Sequence, residues 1–201
     1  MNPLILVVGL PGTGKRTLSK HLEASFGFRR FNTDETRRLL GKKEYRREDT
    51  PEVIRHIKEQ ISQALLKKEG VIFHSAYKSL GGRQGIYNLA KQHGIPVILI
   101  ECNAPERVVL ERILNRPSKD ALSTPPNEAK VYYRYQRMWE PTWQDFARNA
   151  NPHVSHITVD THTMTVTPKI IRPHSEKFVR KILTSLARHE PPVRKSPRYK
   201  E

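Results

Sequence analysis

The sequence predicts an α/β fold, a parallel sheet covered by helices on both faces. Three observations lead there. Short apolar segments rich in β-branched residues alternate with longer segments whose apolar residues recur every three or four positions. Glycine and proline punctuate the joins between them. The first such segment, Leu4-Ile5-Leu6-Val7-Val8, is apolar at every position, as a strand buried on both faces must be.

Residues 3–8 give the first strand, ended by a glycine-rich turn. Residues 15–26 follow as a helix with Leu18, Leu22 and Phe26 on one face. Asp34 is read as following a strand and opening a short helix. Thr50-Pro51 starts a long helix, a capping residue followed by proline at the first helical position. Its apolar stripe is Val53, Ile54, Ile57, Ile61, Ala64 and Leu65, and Gly70 stops it. Val71-Ile72-Phe73 is the next strand, and residues 83–93 a helix ending at Gly94. The strand Pro96–Glu101 and a helix from about Pro105 to Asn115 precede a proline-rich break, Arg116–Pro126. Residues 127–139 read as helical, Ile157–Asp160 as a last short strand, and residues 174–188 as a terminal amphipathic helix. One domain over residues 1–189 is expected, with 190–201 as a basic, proline-containing, flexible tail.

Charge and cysteine content narrow the function. Among 201 residues, 36 Lys and Arg stand against 20 Asp and Glu, a net +16. Such an excess favours an anionic partner, whether nucleotide, RNA or DNA, or membrane surface; the alternative is a solvated basic surface. The single cysteine, Cys102, excludes an internal disulfide and any cysteine-based zinc site. The nine histidines show no His-Glu-x-x-His spacing, which argues against a zinc enzyme. The longest apolar runs are far too short to span a bilayer, and the first lacks the flanks of a signal peptide. A cytoplasmic protein without a membrane partner is the expectation; the oligomeric state stays open.

The sharpest signal is Gly9-Leu10-Pro11-Gly12-Thr13-Gly14-Lys15-Arg16-Thr17, between a predicted strand and a predicted helix. That context is the one a P-loop requires. Glycines allow successive backbone N–H groups to point inward as a nest for phosphate oxygens, and the helix N-terminus adds partial positive charge. Lys15 would supply a mobile charge for the β- and γ-phosphates. The position after the lysine ordinarily carries Ser or Thr, whose hydroxyl ligates Mg²⁺. Here Arg16 stands there and Thr17 comes one residue late, about 100° further round the helix. ATP is the expected cofactor, and Mg²⁺ stays open, with no metal ligand assigned.

Further pieces follow in order. They are Asn32-Thr33-Asp34-Glu35-Thr36-Arg37, Gly70-Val71-Ile72-Phe73-His74-Ser75-Ala76, Arg83, Cys102-Asn103-Ala104-Pro105-Glu106 and Arg112-Ile113-Leu114-Asn115-Arg116, then Asp120-Ala121, Tyr135-Gln136 and Glu140-Pro141. Together with the loop, and over roughly residues 3–187, the chain resembles the polynucleotide-kinase-like and zeta-toxin-like AAA-type domains, a group of small P-loop kinases. The resemblance implies a three-layer α/β/α P-loop NTPase fold, nucleoside-kinase-like, with a helical lid at about 112–126. It also implies an aspartate where this chain has His74, so two metal-associated positions differ together.

The same resemblance suggests roles. Asp34 would act as general base on an acceptor hydroxyl, against the alternative of a helix N-cap. Arg37 and Arg83 would bind the acceptor, although Arg37 could equally lie on a solvated helix face. Arg112 and Arg116, four apart, would close over the transferred phosphoryl group, unless Arg112 pairs with Glu111 or Asp120. The cluster Tyr132, Tyr133, Tyr135, Trp139 and Trp143, interleaved with Lys130, Arg134 and Arg137, either stacks bases or packs the core. Two functions remain: a kinase acting on a nucleic-acid 5′-end, a nucleotide or a small metabolite, and a nucleotide-binding regulatory or RNA-binding protein with weakened catalysis.

Overall fold

A computed structural model describes residues 1–115 and 129–188. Most of the expected lid, including Arg116, and the tail 190–201 lie outside these residues.

The elements run β1 (Leu4–Val8), α1 (Lys15–Phe26), β2 (Arg29–Asn32), α2 (Thr33–Leu39), α3 (Thr50–Leu66), β3 (Val71–His74), α4 (Leu80–Gln92), β4 (Val97–Asn103), α5 (Glu106–Leu114), α6 (Ala129–Arg137), a 3₁₀ segment (Thr142–Asn149), β5 (Val154–Asp160), β6 (Thr165–Ile170) and α7 (Glu176–Ala187). The sheet order is β2-β3-β1-β4-β5-β6. The first five strands are parallel, as expected, but β6 returns antiparallel to β5 at the edge. That strand adds one antiparallel edge to the expected parallel sheet. Helix α4 also begins earlier than expected, at Leu80, because the Ser79 side chain accepts from the Gly82 N–H and caps it.

Strand β1 shows why the sheet needs two covers. Its residues alternate between faces, so Leu4, Leu6 and Val8 enter one apolar cluster while Ile5 and Val7 enter another. On the first face they meet Val53, Ile57 and Ile61 of α3 and Ile86, Tyr87 and Ala90 of α4. On the second they meet Leu18 and Leu22 of α1 and Val179, Ile182 and Leu186 of α7. Burying a side chain of this size stabilises the fold by roughly 1.5–3 kcal/mol.

This arrangement positions the site. The connection leaving β1 leads to α1 on one face, whereas the connection leaving the adjacent β3 leads to α4 on the other. Where neighbouring strands send their chains to opposite faces, a crevice opens beyond their carboxyl ends. Residues 9–14 and 74–77 border it.

Candidate nucleotide site

The loop after β1 is folded onto its own backbone. The Leu10 carbonyl accepts from the Thr13 N–H (3.3 Å), the Thr13 hydroxyl (2.8 Å) and Lys15 Nζ (2.8 Å). Gly12 and Gly14 have φ of +83° and +81°, backbone that side chains rarely adopt. A Cβ at Gly12 would stand 2.8 Å from Val109 Cγ1, and one at Gly14 2.9 Å from Thr161 Oγ1. Gly9 is pressed as closely against the Cys102 carbonyl. The glycines therefore serve packing beneath the loop as well as the inward turn of its amides. Pro11 is half-buried at the turn, and Thr13 is buried.

Helix α1 starts at this loop with Gly14 as N-cap, a residue with no side chain to spend on the first turn's amides. That turn carries no acidic residue, so its partial positive charge is reinforced by Lys15 and Arg16. Arg16 and Thr17 are both exposed.

One turn further along, Ser19 is fully buried. Its hydroxyl donates to the Arg16 carbonyl (3.1 Å) and shares a 2.9 Å hydrogen bond with His74 Nδ1. His74, at the end of β3, is in register with Val7 on one side and Asn32 on the other. Burial, and then the charges of Lys15, Arg30 and Arg16, lower its pKa from 6.5 to about 3. It is a neutral imidazole at physiological pH, at the position where the resemblance implies an aspartate.

Asn32 Oδ1 accepts from the Glu35 N–H (2.9 Å) and caps α2. The alternative assigned to Asp34, that of the N-cap, is thereby filled by its neighbour. Asp34 is one-third exposed and lies 3.8 Å from Arg37 Nη1, with the Thr33 hydroxyl 3.4 Å away. Arg37 is nearly buried: its Nη2 donates to Thr50 Oγ1 (3.1 Å), and its guanidinium covers the Tyr45 ring at 4.6 Å. The buried Nε of Arg37 and Nδ2 of Asn32 make no hydrogen bond among the described residues.

Two of the expected site arginines are held by the protein itself. Arg83 is fully buried, its Nε and Nη2 each 2.7 Å from Asp145, with further bonds to the carbonyls of Tyr77 and Glu140. A guanidinium so enclosed cannot bind an acceptor; it ties α4 to the 3₁₀ segment. Arg112 donates to Thr161 Oγ1 (2.8 Å) and Thr161 O (2.9 Å) and approaches Gly12 O (3.5 Å). It braces the loop together with Thr161 of the β5–β6 turn, which stands against Gly14 and itself bonds Thr13 O. Arg116 is outside the described residues.

The aromatic cluster divides. Tyr132 is buried against Val109 and Ile113, and Trp139 packs beside Arg83. Tyr133 donates to Glu106, Tyr135 lies between Lys78 and Arg134, and Trp143 is 66% exposed. The supporting residues Ser19 and Thr161 carried no signal in the sequence: each is an ordinary hydroxyl whose partner lies 55 or 148 positions away.

The donor set does not suit a resident Mg²⁺. Arg16 and His74 occupy the two places from which a hydroxyl and a carboxylate would ligate it. The Thr13, Ser19 and Thr161 hydroxyls are spent on backbone carbonyls. Among the described residues no three His, Cys, Asp or Glu side chains converge to hold a metal ion.

A family model described as "AAA domain" matches residues 4–139. Adenylate kinase of Porphyromonas gingivalis is 29% identical over 192 residues, covering 87% of this chain and 96% of that protein. The solved structure of a candidate kinase from Chloroflexus aurantiacus has a TM-score of 0.63 at 20% identity, covering 94% of this chain and 98% of the other. A chain of the Pnkp1/Rnl/Hen1 RNA repair complex has a TM-score of 0.59 at 17% identity, over 72% of this chain and 46% of that one. At these identities the two solved structures share its fold. No helix among the described residues is long and apolar enough to cross a membrane.

Proposed function

The chain belongs to the AAA domain family and is kinase-like in fold, and from that premise we propose that it is an ATP-dependent phosphotransferase. The observation that carries the proposal is the Gly9–Thr17 loop, with Lys15 and the first turn of α1 facing the crevice beyond β1 and β3. In this reading the loop amides and Lys15 hold the phosphates, and Lys15 leaves the Leu10 carbonyl to reach them. Asp34, relieved of capping by Asn32, orients an acceptor hydroxyl and takes its proton as the acceptor oxygen attacks the γ-phosphorus and the ADP oxygen departs. Arg37 sits beside it, buried against Thr50 and Tyr45, and holds that carboxylate in place. Negative charge on the transferred group is met by Lys15 and Arg16, and no step is assigned to a metal ion. The acceptor is a nucleic-acid 5′-hydroxyl, a nucleotide or a small polyhydroxylated metabolite. The net +16 and the exposed Trp143 and Tyr133, in a stretch of sequence that also carries Arg134 and Arg137, speak for RNA or DNA.

A second reading is favoured by Arg16, His74 and the anchoring of Arg112: a nucleotide-binding regulatory or RNA-binding protein with weakened catalysis. Radiolabelled ATP, incubated with a 5′-hydroxyl oligonucleotide, AMP and a set of polyols, separates the two. Label transferred to an acceptor, and lost in Asp34→Asn, supports the kinase. ATP binding without transfer to any of them supports the regulator.

A further inference from the structure

We infer that the phosphate site takes its nucleotide without a resident divalent cation and prefers the metal-free triphosphate to its Mg²⁺ complex. The inference rests on the reading of Gly9–Thr17 as a phosphate loop and goes beyond it by naming the ionic form of the ligand.

Three features converge on it. The residue after Lys15 is a cation, exposed on the first turn of α1 that opens from the loop. A guanidinium there can donate to phosphate oxygens in a planar fork, which a hydroxyl-bound metal would otherwise neutralise. Next, the position at the end of β3 holds His74, whose Nδ1 is already engaged by the buried Ser19 hydroxyl. Finally, the hydroxyls bordering the loop are turned to the backbone: Thr13 to Leu10 O, Ser19 to Arg16 O and Thr161 to Thr13 O. Thr17 keeps an exposed hydroxyl, a single neutral oxygen rotated about 100° from the place where Arg16 stands.

The charge balance points the same way. Burial is the main reason that His74 excludes a proton, and the charges of Lys15, Arg30 and Arg16 act in the same direction. A divalent cation brought there would meet the same repulsion. ATP⁴⁻ carries two more negative charges than its Mg²⁺ complex, and these cations attract the more highly charged form. Arg30 is itself fixed by Glu23 (2.7 Å) and Glu35 (3.0 Å), so two nearby carboxylates are committed to a cation of the protein.

Calorimetric titration of ATP into the wild-type protein, once in EDTA and once in excess Mg²⁺ at matched ionic strength, tests this. Affinity should be at least about fivefold higher in EDTA, ~1 kcal/mol. Arg16→Ser, at an exposed position that the fold tolerates, should erase or reverse that preference, and inorganic tripolyphosphate should rank the two buffers as ATP does. Equal or tighter wild-type binding in Mg²⁺ overturns the inference while leaving the phosphate loop intact. Heat in neither buffer overturns the phosphate-loop reading itself.

Discussion

His74 is the residue whose chemistry departs furthest from its free behaviour. It is 9% exposed, bonded to Ser19 and surrounded by Lys15, Arg30 and Arg16. Burial first, and these cations second, lower its pKa from 6.5 to about 3, which links stability to pH. Above 6.5 the imidazole is neutral in both folded and unfolded chains, and its contribution is constant. Between 6.5 and about 3 the unfolded chain takes up a proton that the folded chain excludes, so stability falls as pH falls. One such group contributes a slope of about 1.4 kcal/mol per pH unit in that window. Urea unfolding of wild type and His74→Asn at pH 7 and pH 5 should show the wild type losing more, by about that slope; equal losses would contradict the assignment. The residue scale is also where the sequence was most and least legible. The motif glycines and Lys15 stood out because a phosphate nest would require their fixed spacing, and Arg16 because it breaks that pattern. The roles of Arg83 and Arg112 did not, since a guanidinium has one sequence signature whether it meets a phosphate, Asp145 or a threonine carbonyl.

At the scale of elements, Arg83 of α4 and Asp145 of the 3₁₀ segment form a fully buried ion pair, joined by the Tyr87 hydroxyl at 2.6 Å from Asp145. Burial, with the Asp145 charge beside it, pushes that hydroxyl's pKa up, so it remains a donor. Breaking one partner of such a pair leaves an uncompensated charge in the core, at a cost of about 3–5 kcal/mol. Asp145→Asn should therefore lower unfolding stability by that order in chemical denaturation, and a loss under about 1 kcal/mol would show that the pair is not what joins these elements. The strands legible in the sequence were those apolar on both faces. Strand β2, which opens with Arg29 and Arg30, was read only as a strand before Asp34, without bounds, and β6 (Thr-Val-Thr-Pro-Lys-Ile), a mostly exposed edge interrupted by Pro168, carries no buried pattern. Strand β5 was expected three residues too short because Ser155 and His156 are polar. They are buried all the same, Ser155 bonding the Arg172 N–H and Ser175, and His156 lying against Glu101 and Thr142.

Over the whole molecule, the sheet order and the two covering layers bring the chain's sharpest sequence signal to the crevice between β1 and β3. Segments distant in sequence hold it there: α5 through Val109 beneath Gly12, the β5–β6 turn through Thr161 behind Gly14, and β3 through His74 against α1. This convergence could not be read from periodicity, because each contact is a single residue reaching across the topology. It nevertheless holds the loop in a fixed shape, as the proposed polyphosphate platform requires. Calorimetric titration of ATP into wild type and Lys15→Ala, in the same metal-free buffer, tests that platform most directly. The account predicts measurable wild-type binding and affinity at least about tenfold weaker in the variant, ~1.4 kcal/mol, with unfolding stability retained. Equal affinity in the two proteins would contradict it, because the charge placed to meet the phosphates would then contribute nothing to holding them.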